Sequence, residues 1–290
     1  MGTGNGSDAS PNLSARANTC VGQGDSRAFI HATMEGLDRV FSKSIVPLFA
    51  GVQGKAVQCG TGTLLRIADR QFLVTAAHVC TLVKEHAHGM CIFDDRSGSE
   101  AVPLSGSVLM AGGAPDFAII ELRESLVQAL PNRRFLSLTD VDLASREPAK
   151  GLFCLWGYPS CWYRRDDQSG RISTVAVRLV TALFEGYREN LRDYDPRTHL
   201  LFTAPDDTNA FPGGHPESLH GFSGSSVWQV WRQGDPPAWW KPEDAKIIGV
   251  QTGVYCKPGA LKATRWVPVL KAIWDGFPHL RGAIRLHLDW

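Results

Sequence analysis

No stretch of this 290-residue sequence approaches the roughly 20 consecutive apolar residues that a membrane-spanning helix needs. The opening residues, Met1-Gly2-Thr3-Gly4-Asn5-Gly6-Ser7-Asp8, lack the basic start and apolar stretch of a secretory leader. Gly6 also stands where an N-myristoylation signal needs Ser or Thr. Charge of one sign is missing too: 30 basic and 29 acidic side chains leave a net +1, which calls for neither nucleic acid nor a membrane as partner. Cysteine is sparse and odd in number, with seven along the chain: Cys20, Cys59, Cys80, Cys91, Cys154, Cys161 and Cys256. They do not form the paired framework of a small secreted domain. The expectation from these absences is a soluble protein with reduced thiols, kept in the cytoplasm.

Hydrophobic residues make up 43% and charged residues 20%, an ordinary globular mix, and the length suffices for one large domain or two small ones. Residues 1–26 are rich in Gly, Ser, Asn and Asp and read as a flexible tail. From Phe29 to Phe41, the positions Ile30, Met34, Leu37 and Phe41 recur at helical spacing and predict a packing helix. Beyond Pro47, short apolar runs are bounded by Gly, Pro, Asp and Asn. They are Gly62–Ile67, Gln71–Thr75, Ala101–Met110, Phe117–Leu122, Leu152–Trp156, Val175–Phe184, His199–Ala204, Ser226–Trp231 and Lys246–Gly253. Many short strands at this cadence indicate an all-β barrel or sandwich. Residues 126–150 read as a linker between two β groups, 27–125 and 151–290. The second ends in a helix marked by Val267, Leu270, Ile273, Trp274 and Phe277.

Hydrolysis of an amide by serine needs a hydroxyl, a base, a carboxylate to hold the base, and amide donors for the oxyanion. Gly221-Phe222-Ser223-Gly224 offers a serine between glycines that permit a sharp turn, with the amides of Gly221 and Ser223 as the donors. Ser225 is the alternative hydroxyl. In Thr75-Ala76-Ala77-His78 an apolar strand runs out onto a histidine, with Ala76 and Ala77 expected to leave room for a cleft. Asp116 opens the apolar run Phe117-Ala118-Ile119-Ile120; Asp94 and Asp95 are alternatives in the same window.

These three motifs, in the order His, Asp, Ser, resemble the signatures of chymotrypsin-like (trypsin-like) serine peptidases of a non-secreted type. Gly60-Thr61-Gly62-Thr63 is similar to the glycine-bearing strand before the histidine motif, and Leu155-Trp156-Gly157-Tyr158-Pro159 to the opening of a second barrel. Ile247-Ile248-Gly249-Val250-Gln251-Thr252-Gly253 is similar to the strand that lines the specificity pocket, so Thr252 and Gly253 become candidate substrate contacts. The resemblance implies two antiparallel six-stranded barrels with the site between them, a serine endopeptidase acting on a protein or peptide, and no cofactor. It implies His78 as base, Asp116 as its orienting carboxylate and Ser223 as nucleophile. The alternative is a catalytically inactive binding module on the same fold. A histidine base implies activity that falls below about pH 6 to 7.

Some features depart from that pattern. Phe222 stands where secreted, zymogen-type members carry an aspartate, so activation by a newly cut N-terminus is not expected. Glu217, six residues before Ser223, lies where trypsin-like members place a pocket acid, which makes a basic preference one hypothesis. Cys80, His86, His88 and Cys91 follow a spacing uncommon for zinc, and no metal is expected there. Trp239 and Trp240, in a loop between Ser226 and Lys246, form a candidate substrate or partner patch. With no zymogen route, a regulatory protein partner is one candidate restraint on activity, beside the N-terminal helix and that loop.

Overall fold

A computed structural model describes residues 35–52, 55–86, 89–93, 99–112, 114–142, 148–166, 168–188, 191–204, 219–235, 241–257 and 259–285. The expected tail, 1–26, and the helix positions Ile30 and Met34 lie outside them. The first sheet is built from β1 (Ile45–Val52), β2 (Lys55–Ile67), β3 (Arg70–Thr75), β4 (Met90–Phe93), β5 (Ala101–Pro103), β6 (Val108–Ala111) and β7 (Phe117–Glu121). They pair antiparallel in the order β5-β4-β1-β2-β3-β7-β6. After β8 (Gly151–Gly157) comes a small hairpin of β9 (Arg164–Arg165) and β10 (Ile172–Ser173). The second sheet continues with β11 (Val177–Thr181), β12 (His199–Thr203), β13 (Ser226–Arg232), β14 (Lys246–Tyr255) and β15 (Ala260–Arg265), in the order β11-β8-β13-β14-β15-β12. Just past β11, Leu183 bridges Phe202 of β12, and Phe184 N–H donates to the Leu201 carbonyl at 2.9 Å, so the second sheet curls back on itself. The all-β class and the two-barrel layout implied by the resemblance hold, but the first sheet has seven strands where six are implied, because β5 and β6 extend its two edges.

Alternation along the strands explains the packing. In β7 and β3, Ala118, Ile120 and Leu73 turn into the first core with Val46, Leu48, Leu64 and Val79. In the second sheet, Leu155, Val227, Leu261 and Ala263 face inward with Phe153, Leu179, Phe202 and Phe222. The opposite faces of both sheets meet in a third apolar layer, where Val74 and Ile119 share a cluster with Trp156, Trp228 and Val250. Residues 35–41 are helical (α1) and lay Leu37 and Phe41 on this layer. Phe41 stacks on Trp228 with centroids 3.7 Å apart and meets Trp156 edge-on at 5.1 Å. Below them, Asp38 accepts from Trp156 Nε1 at 3.0 Å and pairs with Arg178 at 2.6 Å.

The structure differs from the sequence expectations in several places. Ala101–Met110 is two strands, because the chain turns at Leu104–Ser107, where the Ser107 carbonyl accepts from Glu121 N–H at 2.9 Å. A Cβ on Gly106 would lie 1.9 Å from the Glu121 carbonyl oxygen, so the turn closes directly on β7. β1, β4, β9, β10 and β15 lie outside the apolar runs expected to be strands. In the C-terminal helix (Trp266–Gly276), Val267 is exposed and the buried face is Trp266, Val269, Leu270 and Ile273. The segment expected to be a linker carries buried Leu126, Leu130, Leu136 and Val141, and Leu136 bridges Leu65 of β2. Among the described residues, no helix is long and apolar enough to cross a membrane.

Candidate active site

β3 ends at Thr75, and the next helix, α2 (Ala77–His86), places His78 in its first turn. Ala76 and Ala77 are buried, and Ala76 packs into the first core. Small residues here let the helix settle against the barrel. His78 Nδ1 lies 2.7 Å from Asp116 Oδ2, and the His78 backbone N–H donates to Asp116 Oδ1 at 3.1 Å. Two contacts to one carboxylate fix both the ring and the turn that carries it. The imidazole is 40% exposed and the carboxylate 13%, so the pair opens toward solvent on the histidine side. Thr264 Oγ1, on β15, donates to the Asp116 carbonyl at 3.3 Å and ties the aspartate to the second barrel.

The Ser223 loop is shaped by its two glycines. Gly221 (φ 84°) and Gly224 (φ 93°) both adopt the left-handed backbone that side chains disfavour. A Cβ on Gly221 would lie 2.7 Å from the Tyr158 carbonyl oxygen, and one on Gly224 only 1.9 Å from that of Thr61. Phe222, between them, is fully buried in the second core and anchors the loop. An apolar anchor thus occupies the position before Ser223.

A ladder of threonines joins this loop to the first barrel. Thr75 Oγ1 donates to the Thr61 carbonyl at 2.8 Å, and Thr61 Oγ1 donates to the Gly221 carbonyl at 2.8 Å while accepting from Tyr158 N–H at 2.9 Å. Thr61 N–H donates to the Ser223 carbonyl at 2.8 Å. Gly60, on β2, has the histidine helix and the serine loop close beside it: a Cβ there would lie 2.8 Å from Val79 Cγ1 and 3.2 Å from the Ser223 carbonyl oxygen. The histidine helix and the serine loop therefore flank one strand. Among the described residues, no hydrogen bond joins Ser223 Oγ to His78. Thr61, Thr75 and Thr264 went unnoticed as site residues, although Thr61 and Thr75 lie inside the motifs.

Backbone bonding distinguishes the amides of the loop. Phe222 N–H donates to Leu219, Gly224 N–H to Gln251 and Ser225 N–H to Phe222, at 2.8 to 3.0 Å. Among the described residues, the N–H groups of Gly221 and Ser223 have no acceptor, and these are the two expected to hold an oxyanion. Ser225 is fully buried and donates its hydroxyl to the Phe222 carbonyl, whereas Ser223 is partly exposed. Thr252 is buried and its Oγ1 has no hydrogen-bond partner among the described residues, and Gly253 is partly exposed on β14. Glu217, Asp94, Asp95, His88, Trp239 and Trp240 lie outside the described residues.

Cys80, on the histidine helix, and Cys91, on β4, lie near enough to Cys59 of β2 to act on its thiol. Burial, with Cys80 and Cys91 adding to it, pushes the Cys59 thiol up to about 12, and burial also raises Cys91. All six described cysteines are unbridged, and among the described residues no group of three or more His, Cys, Asp or Glu could hold a metal ion.

No family model and no curated protein matches the sequence. The fold is similar to that of the serine protease domain of the Sesbania mosaic virus polyprotein, at 14% identity over 77% of this chain and 89% of that one, TM-score 0.43. A Glu endopeptidase is similar at 15% identity over 82% and 93%, TM-score 0.46. The serine endoprotease from Yersinia pestis is similar at 13% identity over 83% and 67%, TM-score 0.49. Likeness of this size concerns the course of the backbone and assigns no residue a role.

Proposed function

We propose that this chain is a serine endopeptidase of the chymotrypsin-like kind, with Ser223 as nucleophile, His78 as general base and Asp116 as the carboxylate that orients it. The observation that carries this is the doubly held His78–Asp116 pair, on an element flanking the same strand as the partly exposed serine of a glycine turn. With Nδ1–H directed at Asp116, the imidazole keeps its other nitrogen, Nε2, as a proton acceptor.

In the first half-reaction, Ser223 Oγ adds to the substrate carbonyl as its proton passes to His78 Nε2. The oxyanion is held by the Gly221 and Ser223 amides. Collapse transfers the proton to the departing amine and leaves an acyl ester on Ser223. Water then adds to the ester, with His78 again taking a proton, and the acid product and the serine are released. Asp116 stays ionised throughout and stabilises the transient imidazolium.

The test is labelling of the purified chain by a fluorophosphonate, wild type beside Ser223→Ala. Labelling of the wild type alone is expected. Absence of labelling in both, with no turnover of a peptide library, would favour a binding module and sink the proposal.

A further inference from the structure

β15 turns Leu261 and Ala263 into the second core, so Lys262 between them faces outward. It is nevertheless only 8% exposed, covered by Tyr255 and the 191–195 segment. Among the described residues, its ammonium has one carbonyl and one aromatic ring as partners. Nζ donates to the Asp193 carbonyl at a long 3.3 Å and lies 5.9 Å from the centre of the Tyr255 ring. Asp193 adopts a left-handed conformation (φ 56°), and its carboxylate lies 3.4 Å from Arg192. Among the described residues, no carboxylate pairs with Lys262. A buried cation in this state favours a negative partner.

Lys262 pairs in register with Gly253 of β14. A Cβ on Gly253 would lie 3.3 Å from Lys262 Cε, so any larger residue would roof over the lysine stem. Among the described residues, the bare glycine instead leaves that side of the strand open. The same strand is tied to the nucleophile loop, since Gly224 N–H donates to the Gln251 carbonyl and Gln251 N–H to the Ser225 carbonyl, both at 2.8 Å. Gly253 lies two residues on, about 7 Å along an extended chain. Pairing of β13 with β14 ends at Ser226–Val250, so among the described residues the far edge of 252–255 carries no strand. An extended peptide added to that edge, with its scissile carbonyl at Ser223, brings a side chain over Gly253.

We infer that Lys262 is a specificity-determining residue, reached past Gly253, that recognises a carboxylate side chain of the peptide substrate within about three residues of the scissile bond. This rests on the peptidase function proposed above, and it names the class of substrate that function would favour.

The experiment starts from a peptide that the full-length wild type cleaves, selected from a random library. Quenched fluorescent versions carry Glu, Gln or Lys at each of the three positions on either side of the cleaved bond. The readout is the ratio of kcat/KM for Glu over Lys at each position, within wild type, Lys262→Arg, Lys262→Met and Lys262→Gln. At one position the wild type should prefer Glu by about 10-fold or more, a discrimination in the range of a single well-placed charge pair. Lys262→Arg should keep the preference, and Lys262→Met and Lys262→Gln should bring it below about 3-fold. A wild type without any such preference, or neutral variants that retain it, would overturn the assignment. Fluorophosphonate labelling of the same preparations separates the two proposals: a labelled wild type with no charge preference removes only the role of Lys262. A chain that neither labels nor cleaves removes both.

Discussion

Replacing Asp116 by Asn changes one atom of the site and tests its central contact. The amide oxygen can still accept from the His78 backbone N–H, now at 3.1 Å from Oδ1, so the turn should keep its shape. The amide nitrogen then faces Nδ1, where a carboxylate oxygen stood at 2.7 Å. The ring must accept at Nδ1 and carry its proton on Nε2, where it can no longer receive one from Ser223. At an effective dielectric of about 20, suited to a pair this close to the surface, a unit charge pair roughly 4 Å apart contributes about 4 kcal/mol. Holding the ring in its disfavoured tautomer adds about 1 kcal/mol, the size of one net hydrogen bond. Together, about 5 kcal/mol corresponds to a rate loss of between 10³- and 10⁴-fold, at about 1.4 kcal/mol per decade. The assay is the second-order rate of fluorophosphonate labelling at pH 8, read beside thermal unfolding. An Asp116→Asn variant with wild-type Tm that labels within about 10-fold of wild type would refute the role assigned to this carboxylate.

Three further outcomes follow from contacts already described. Gly224→Ala should lower stability by about 3 kcal/mol or more, since its Cβ would meet the Thr61 carbonyl at 1.9 Å on left-handed backbone; denaturant unfolding within about 1 kcal/mol of wild type would contradict the tight seam. Ser225→Ala should retain most of the labelling rate and lose about 1 kcal/mol of stability with its buried bond to Phe222; loss of labelling equal to that of Ser223→Ala would reassign the nucleophile. His199 is fully buried, and burial, reinforced by Lys262, lowers it to about 4, although Asp195 and Asp116 pull the other way. Because the unfolded chain binds the proton first, near its ordinary value of about 6.5, stability is full above that pH and falls as pH drops toward 4. The loss is at most about 3 kcal/mol. His199→Gln should flatten Tm over that window, and parallel curves for the two proteins would exclude His199 as the cause.

Elements with strong local signatures were legible in the sequence. Leu64, Leu73, Ile119 and Val227 lie in apolar runs that point into a core whatever the rest of the chain does. Among the strands outside those runs, β4 is four residues long and β9 and β10 two each, too short to show a period. The helical spacing of the last long helix was visible, but its buried face was misjudged by one residue at Val267, since periodicity gives a stripe and only packing chooses its centre.

The candidate site divides along the same line. The sequence by itself determined which side chains are available, in what order, and that Ser223 lies between residues able to take a left-handed turn, because those properties belong to the residues and their neighbours. Tertiary structure alone decided that Ser225 is buried while Ser223 is reachable, and that Thr61 on one barrel holds the carbonyl of Gly221 on the other. It also decided that Lys262 sits buried beneath Gly253 with no carboxylate partner among the described residues. Burial and charge compensation depend on groups that the fold brings together, such as Thr61 and Gly221, 160 positions apart, and no local pattern carries that information.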